Sequence, residues 1–158
     1  MKSLSLRLWV GFIAALSLSI LPLPTFISSF RPPWVLLLVL YIEYYLPHRM
    51  KLSALFLVGI ALDVLLFKTI GQYSFALLTV AGLAANKSRR FRFFPMTQQI
   101  LLIGFFCLLY QTILSLIDVL LGFNYSLVYP LGSTAFAMLL WPWIRLLGDD
   151  TLGLYTQR

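Results

Sequence analysis

The stretch Gly59-Ile60-Ala61-Leu62-Asp63-Val64-Leu65-Leu66-Phe67-Lys68-Thr69-Ile70-Gly71 sets one carboxylate inside an apolar run. For four positions on either side of Asp63 there is no charged or hydrogen-bonding side chain. Such a run belongs in a lipid bilayer, where an Asp at the centre of a helix costs roughly 2.5–3.5 kcal/mol to insert. A partner or a function has to offset that cost. Gly59 precedes Asp63 by four residues, so the two share a helix face. The notch left by the glycine admits a neighbouring helix beside the carboxylate. The rest of the chain supplies the helices that surround this face.

Of the 158 residues, 61% are hydrophobic, whereas a soluble domain is about 45–50% apolar. The composition is that of an integral membrane protein, with residues 1–158 as one transmembrane domain. The apolar runs are too long for an outer-membrane barrel, whose strands alternate over about ten residues. Cys107 is the single cysteine. It excludes an internal disulfide and a cysteine-based metal site, and reads as a small packing residue.

Working outward, the pattern predicts six transmembrane helices, at about 7–23, 34–46, 52–67, 73–86, 97–121 and 127–147. The first follows a short basic leader and has no small-x-small cleavage site behind it, so it reads as retained. Its Gly11, Ala15 and Ser19 form a small-residue stripe suited to close packing, within the molecule or against a partner. The second opens at Trp34, after Arg31-Pro32-Pro33, and closes at Pro47-His48-Arg49. It is short, about 20 Å at 1.5 Å per residue, with Tyr41, Tyr44 and Tyr45 suited to the membrane interfaces. The third and fourth form a hairpin turning at Gly71. The fifth is the longest, and Gly104, Cys107, Gln111, Ser115, Asp118 and Gly122 fall on one stripe of it. The sixth holds Pro142, expected to bend or locally open it.

Six spans put both termini on one side. Ten cations lie on that side (Lys2, Arg7, Arg49, Lys51, Lys87, Arg89, Arg90, Arg92, Arg145 and Arg158), and two, Arg31 and Lys68, on the other. This asymmetry is the positive-inside pattern, with both termini cytoplasmic. It accounts for the net charge of +7 without nucleic acid as a partner. Anionic lipid headgroups are the default partner of the 87–92 cluster.

Three acidic residues lie within spans. Glu43 falls at the depth of Arg145, Arg49 and Lys51, and an ion pair there would anchor the second helix. Asp63 and Asp118 fall in the outer half. For Asp63 three readings stand: a structural carboxylate hydrogen-bonded by neighbouring helices, a residue lining a cavity or partner contact, or a proton or ion relay. Asp63→Asn separates them, because a structural carboxylate tolerates the change and a relay or cation site fails. No nucleophile–base pair, metal cluster or phosphate loop is present. An Asp63/Asp118 aspartyl pair has no recognisable local motif, so the chain does not read as an enzyme, and no cofactor is called for.

Arg31-Pro32-x-Trp34, Pro47-His48-Arg49, Gly59-x3-Asp63 with Gly71 after it, Asp118, and Leu140-Trp141-Pro142-Trp143 occur in this order over nearly the whole chain. In this the chain resembles the bacterial rod shape-determining MreD family. The resemblance implies an inner-membrane scaffold of the wall-elongation complex that binds MreC and works with MreB, RodA and its transpeptidase. It implies a fold similar to the substrate-binding subunits of vitamin transporters, and no catalytic residues. Arg31, Trp34, Asp63, Gly71, Trp141 and Pro142 match family positions, as candidates for structure or partner contact. The Gly11/Ala15 stripe and the Gln111/Ser115 stripe offer surfaces for a partner's helix. A different reading is a small-molecule or lipid-binding transporter component with a cavity near Asp63, Gln111 and Asp118.

Overall fold

The computed structural model describes residues 2–21, 31–46, 51–67, 69–86, 91, 93–124 and 128–152. Among these there are six helices and no strand: α1 (Lys2–Ile20), α2 (Trp34–Tyr45), α3 (Leu52–Leu65), α4 (Gln72–Ala85), α5 (Met96–Leu120) and α6 (Val128–Leu152). The last runs on through Pro142. Pro47, His48, Arg49 and the cations Lys68, Lys87, Arg89, Arg90 and Arg92 lie outside the described residues.

The sequence of α2 explains its place. Trp34-Val35-Leu36-Leu37-Leu38-Val39-Leu40 is apolar on every side, and a helix without a polar face is buried. Nine of its twelve residues are buried, and it packs against α1, α4, α5 and α6. The other helices pair in sequence around it: α3 with α4, α5 with α6, and α4 with α5 across the two hairpins. Successive helices alternate in direction. One end of the bundle therefore gathers the C-terminal ends of α1, α3 and α5 and the N-terminal ends of α2, α4 and α6. Asp63 lies at this end.

The opposite end is aromatic. Tyr44 stacks on Phe91 with ring centres 3.7 Å apart, and Phe91 meets Trp141 edge-on at 5.9 Å. Tyr41 stacks on Tyr45 at 4.8 Å. All three tyrosines are buried. They turn into the bundle, where aromatic pairs contribute about 0.5–1.5 kcal/mol beyond their burial.

The exterior is apolar. Trp9 and Ile13 on α1, Leu57 and Val64 on α3, Phe75 on α4, Leu101, Phe105 and Leu116 on α5, and Leu131, Leu139 and Trp143 on α6 are all exposed. A water-soluble monomer rarely shows contiguous apolar surface beyond a few hundred Å². Two helical stretches, Met96–Leu120 and Pro130–Gly148, are long and apolar enough to cross a membrane. Leu8–Ile20, Trp34–Tyr45, Leu52–Leu65 and Gln72–Ala85 are apolar but shorter. At 1.5 Å per residue the 14 residues of α3 cover about 21 Å, less than the roughly 30 Å hydrocarbon core.

Candidate functional site

The first turn of α4 organises the Asp63 end. A helix begins with N–H groups that have no partner in their own helix, and with a partial positive charge. In α4 the capping position is Gly71, which has no side chain to accept from them and adopts φ +100°. Asp63, in the last turn of α3, takes over that task across the hairpin. Its Oδ2 accepts from the Gly71 N–H at 2.8 Å and the Ser74 hydroxyl at 3.1 Å, and its Oδ1 accepts from the Tyr73 N–H at 2.8 Å. The carboxylate has no exposed surface. Charge-assisted hydrogen bonds contribute roughly 1.5–3 kcal/mol each, so two of the three match the insertion cost of roughly 2.5–3.5 kcal/mol.

Gly59 lies one turn earlier on the same face. A Cβ there would run into the Cα and Oγ of Ser74. The missing side chain thus lets α4 close on α3 far enough for the Ser74 hydroxyl to reach Asp63. Gly71 differs, because nothing lies within 4 Å of where its Cβ would be. Its requirement is the left-handed backbone that ends the turn, open to glycine at no steric cost.

From the same turn Gln72 reaches the other way. Its Nε2 donates to Asp118 Oδ1 at 2.9 Å and to the Leu114 carbonyl at 3.2 Å, both on α5. The two carboxylates are thus held by different donors of one helical turn. Further round, Gln111 Nε2 donates to the Ser133 hydroxyl at 2.9 Å, and that hydroxyl donates to the Arg31 carbonyl. The Arg31 guanidinium donates to the Ser19 carbonyl at 3.1 Å. This chain of bonds joins α5, α6, the entry to α2, and α1. The Ser115 hydroxyl bonds within its own helix, to the Gln111 carbonyl.

These groups enclose a cavity of about 410 Å³, lined among others by Arg31, Trp34, Gln72, Tyr73, Gln111, Ser115, Asp118 and Ser133. Two polar atoms of its wall are buried without a partner: Arg31 Nε and Gln72 Oε1. The pairing of Gln72 fixes its orientation, because Asp118 and the Leu114 carbonyl both require its amide nitrogen. Asp63 does not line the cavity; Tyr73 and Gln72 stand there instead. A second cavity, of about 490 Å³, is apolar, with Gly11, Ala15, Leu38 and Gly148 in its wall and Trp34 shared with the first.

The other sequence-derived candidates lie apart. Ala15 is buried and Gly11 packs on Leu38 of α2, so this stripe faces the molecule's own interior. Ser115 is also buried, at the margin of the exposed face of α5 on which Leu108, Thr112 and Val119 lie. Glu43 is half-buried near the end of α2. At that end Arg145 donates to Gln99 Oε1 at 3.2 Å and lies over the Tyr45 ring at 5.9 Å. Trp141 is fully buried against Phe91, and Pro142 is half-buried within α6. Sequence reasoning passed over Gln72, Ser74 and Gln99. Gln72 and Ser74 directly follow the turn glycine, and donors in a first helical turn are the signal that could have found the pair. Gln99 is fully buried and donates to the carbonyls of Phe94 and Phe91.

No group of three or more metal-ligating side chains occurs among the described residues. The sequence model of the family described as "rod shape-determining protein MreD" matches residues 2–149. The rod shape-determining protein MreD of Haemophilus influenzae (strain ATCC 51907 / DSM 11121 / KW20 / Rd) is 28% identical over 139 residues, covering 86% of this chain and 84% of that protein. No solved structure matches. That family is one of shape-determining proteins and not a known enzyme family. Two helices long enough to cross a bilayer and an apolar exterior fit a membrane protein. With a match over nearly its whole length, the chain belongs to the MreD family of rod shape-determining proteins.

Proposed function

We propose that this protein is a non-enzymatic scaffold in the bacterial inner membrane that binds MreC and supports peptidoglycan elongation alongside MreB, RodA and its transpeptidase. The observation that carries this reading is the family match over residues 2–149, which supports a role in rod shape determination. All six helices cross the membrane, the short ones in a locally thinned bilayer, and both termini face the cytoplasm. The Asp63 end then faces outward and the Gln99 end inward. Asp63 serves as a fixed capping group for α4. A proton relay needs a chain of titratable groups, and hydrogen bonds from two backbone N–H groups and a serine supply none.

The burial of Ala15 and Ser115 moves the contact for MreC away from the small-residue and polar stripes, to the exposed faces of the same helices. The test is photocrosslinking to co-expressed MreC from exposed Trp9 and Ile13 on α1 and from exposed Phe105 and Leu116 on α5. Buried Ala15 and Ser115 serve as controls. Capture of MreC from one exposed face, with the controls silent, is the expected result. Failure of MreC to crosslink from any exposed position and to co-purify in mild detergent would sink the scaffold reading.

A further inference from the structure

A buried N–H of a guanidinium without an acceptor is costly, and buried polar atoms in native proteins are nearly always paired. Arg31 departs from this. Among the described residues its half-buried guanidinium makes a single hydrogen bond, to the Ser19 carbonyl, and its Nε is buried without a partner. The residue lines the 410 Å³ cavity, a size that holds a small molecule or a headgroup. Across the same cavity Gln72 is almost wholly buried, and its Oε1 has no donor. The wall is therefore short of an acceptor at a cation and short of a donor at an amide. The Asp118 carboxylate stands beside that amide, and Gln111 and Ser133 also line the cavity. Exposed Asn124 brings the cavity to the surface.

We propose that this cavity binds a phosphate ester that also carries a hydrogen-bond donor, the headgroup chemistry of a phosphoglycerol or phosphoethanolamine lipid. Arg31 takes the phosphate through a charge-assisted pair, for which the guanidinium fork is well shaped. The hydroxyl or ammonium of the headgroup donates to Gln72 Oε1. The setting favours a lipid over a free ion. The exterior is apolar, and in the membrane placement proposed above phosphate-bearing headgroups surround the bundle at the depth of the cavity mouth. In the topology proposed above, Arg31 is one of only two cations on the outer side, where charge does not assist insertion. This inference rests on that membrane placement and not on the binding of MreC.

The full-length chain, purified in detergent, is titrated with dioleoyl phosphatidylglycerol, phosphatidylethanolamine and phosphatidylcholine, and retained lipid is counted by native mass spectrometry. The donor-bearing headgroups should be retained about tenfold better than phosphatidylcholine, which keeps the phosphate but has no N–H or O–H. Arg31→Gln keeps a donor for the Ser19 carbonyl and removes the charge; it should weaken retention about tenfold while the lipid-free melting temperature stays unchanged. Inorganic phosphate is the second arm. If it leaves the bound lipid in place, the lipid is the source of the oxyanion. If it displaces the lipid and binds wild type but not Arg31→Gln, the same chemistry stands with a free oxyanion as its source. Equal retention by wild type and Arg31→Gln overturns the proposal. So does equal retention of phosphatidylcholine and phosphatidylglycerol by wild type, a comparison that needs no variant to fold. Co-purification of MreC from the same cells reports on the scaffold reading separately.

Discussion

A carboxylate that accepts from Gly71, Tyr73 and Ser74 responds differently to loss of its charge and loss of its oxygens. Asp63→Asn keeps one acceptor oxygen and turns the other into a donor, set against an N–H that also donates. We expect it to lower stability by about 1–2 kcal/mol, and Asp63→Ala, which leaves three donors unmet, by about 2–4 kcal/mol. Thermal melts of the detergent-solubilised protein measure both. The reading in which a structural carboxylate tolerates Asn gives way here, because both oxygens are already occupied by donors. An Asp63→Asn protein as stable as wild type would remove the capping role. The i, i+4 spacing of Gly59 and Asp63 is readable in the chain because it needs only helical periodicity. Two of the donors are backbone N–H groups, which every residue but proline has. No side-chain pattern marks them, and they become visible only once the α3–α4 turn is in place.

At the scale of elements, three glycines test how the helices approach each other. Ala at Gly59 would collide with the backbone of Ser74, and the backbone cannot move without shifting α4. Ala at Gly104 would meet the far end of Met138, a flexible side chain that can swing aside. Gly71→Ala meets nothing and is limited by its left-handed backbone, at about 1–2 kcal/mol. The expected order of destabilisation in thermal melts is therefore Gly59→Ala largest, Gly71→Ala intermediate and Gly104→Ala smallest. A small effect at Gly59 would mean that the α3–α4 contact is looser than the bond from Ser74 to Asp63 requires. Gln72→Leu tests the next contact. It removes both bonds to α5 and should cost about 1–2 kcal/mol, in line with interhelical hydrogen bonds in membranes. Helix positions along the chain are legible because apolar runs and turn residues are local. Apart from the α3–α4 hairpin, which its short turn reveals, the neighbours of each helix are not. Tyr41, Tyr44 and Tyr45 suit a membrane interface by type, and what turns them inward is the pairing of α2 with Phe91 and Trp141, residues distant in sequence.

At the scale of the whole molecule, the cation asymmetry and the alternation of helices make one joint demand. The turn between α3 and α4 and the residues leading into α5 lie at opposite ends of the bundle, so the six-span topology proposed above puts them on opposite sides of the membrane. Phe67 and Phe93 report on these two places, since both side chains stand almost fully exposed. Cys107 is buried and gives little background with a bulky thiol reagent. A membrane-impermeant maleimide applied to intact spheroplasts should label Phe67→Cys at once. It should label Phe93→Cys only after permeabilisation. The reverse pattern would invert the topology and put the Arg31 cavity on the cytoplasmic side, against the ten-to-two distribution of cations. Labelling of both sites from outside would mean that α4, with 14 residues, does not cross. The six-span reading would then fail at the element whose length strains it, since about 21 Å of helix has to meet a hydrocarbon core of roughly 30 Å. Labelling of Phe67→Cys alone in intact spheroplasts therefore supports both the crossing of α4 and an outward-facing Asp63, and it places the cavity within reach of outer-leaflet headgroups.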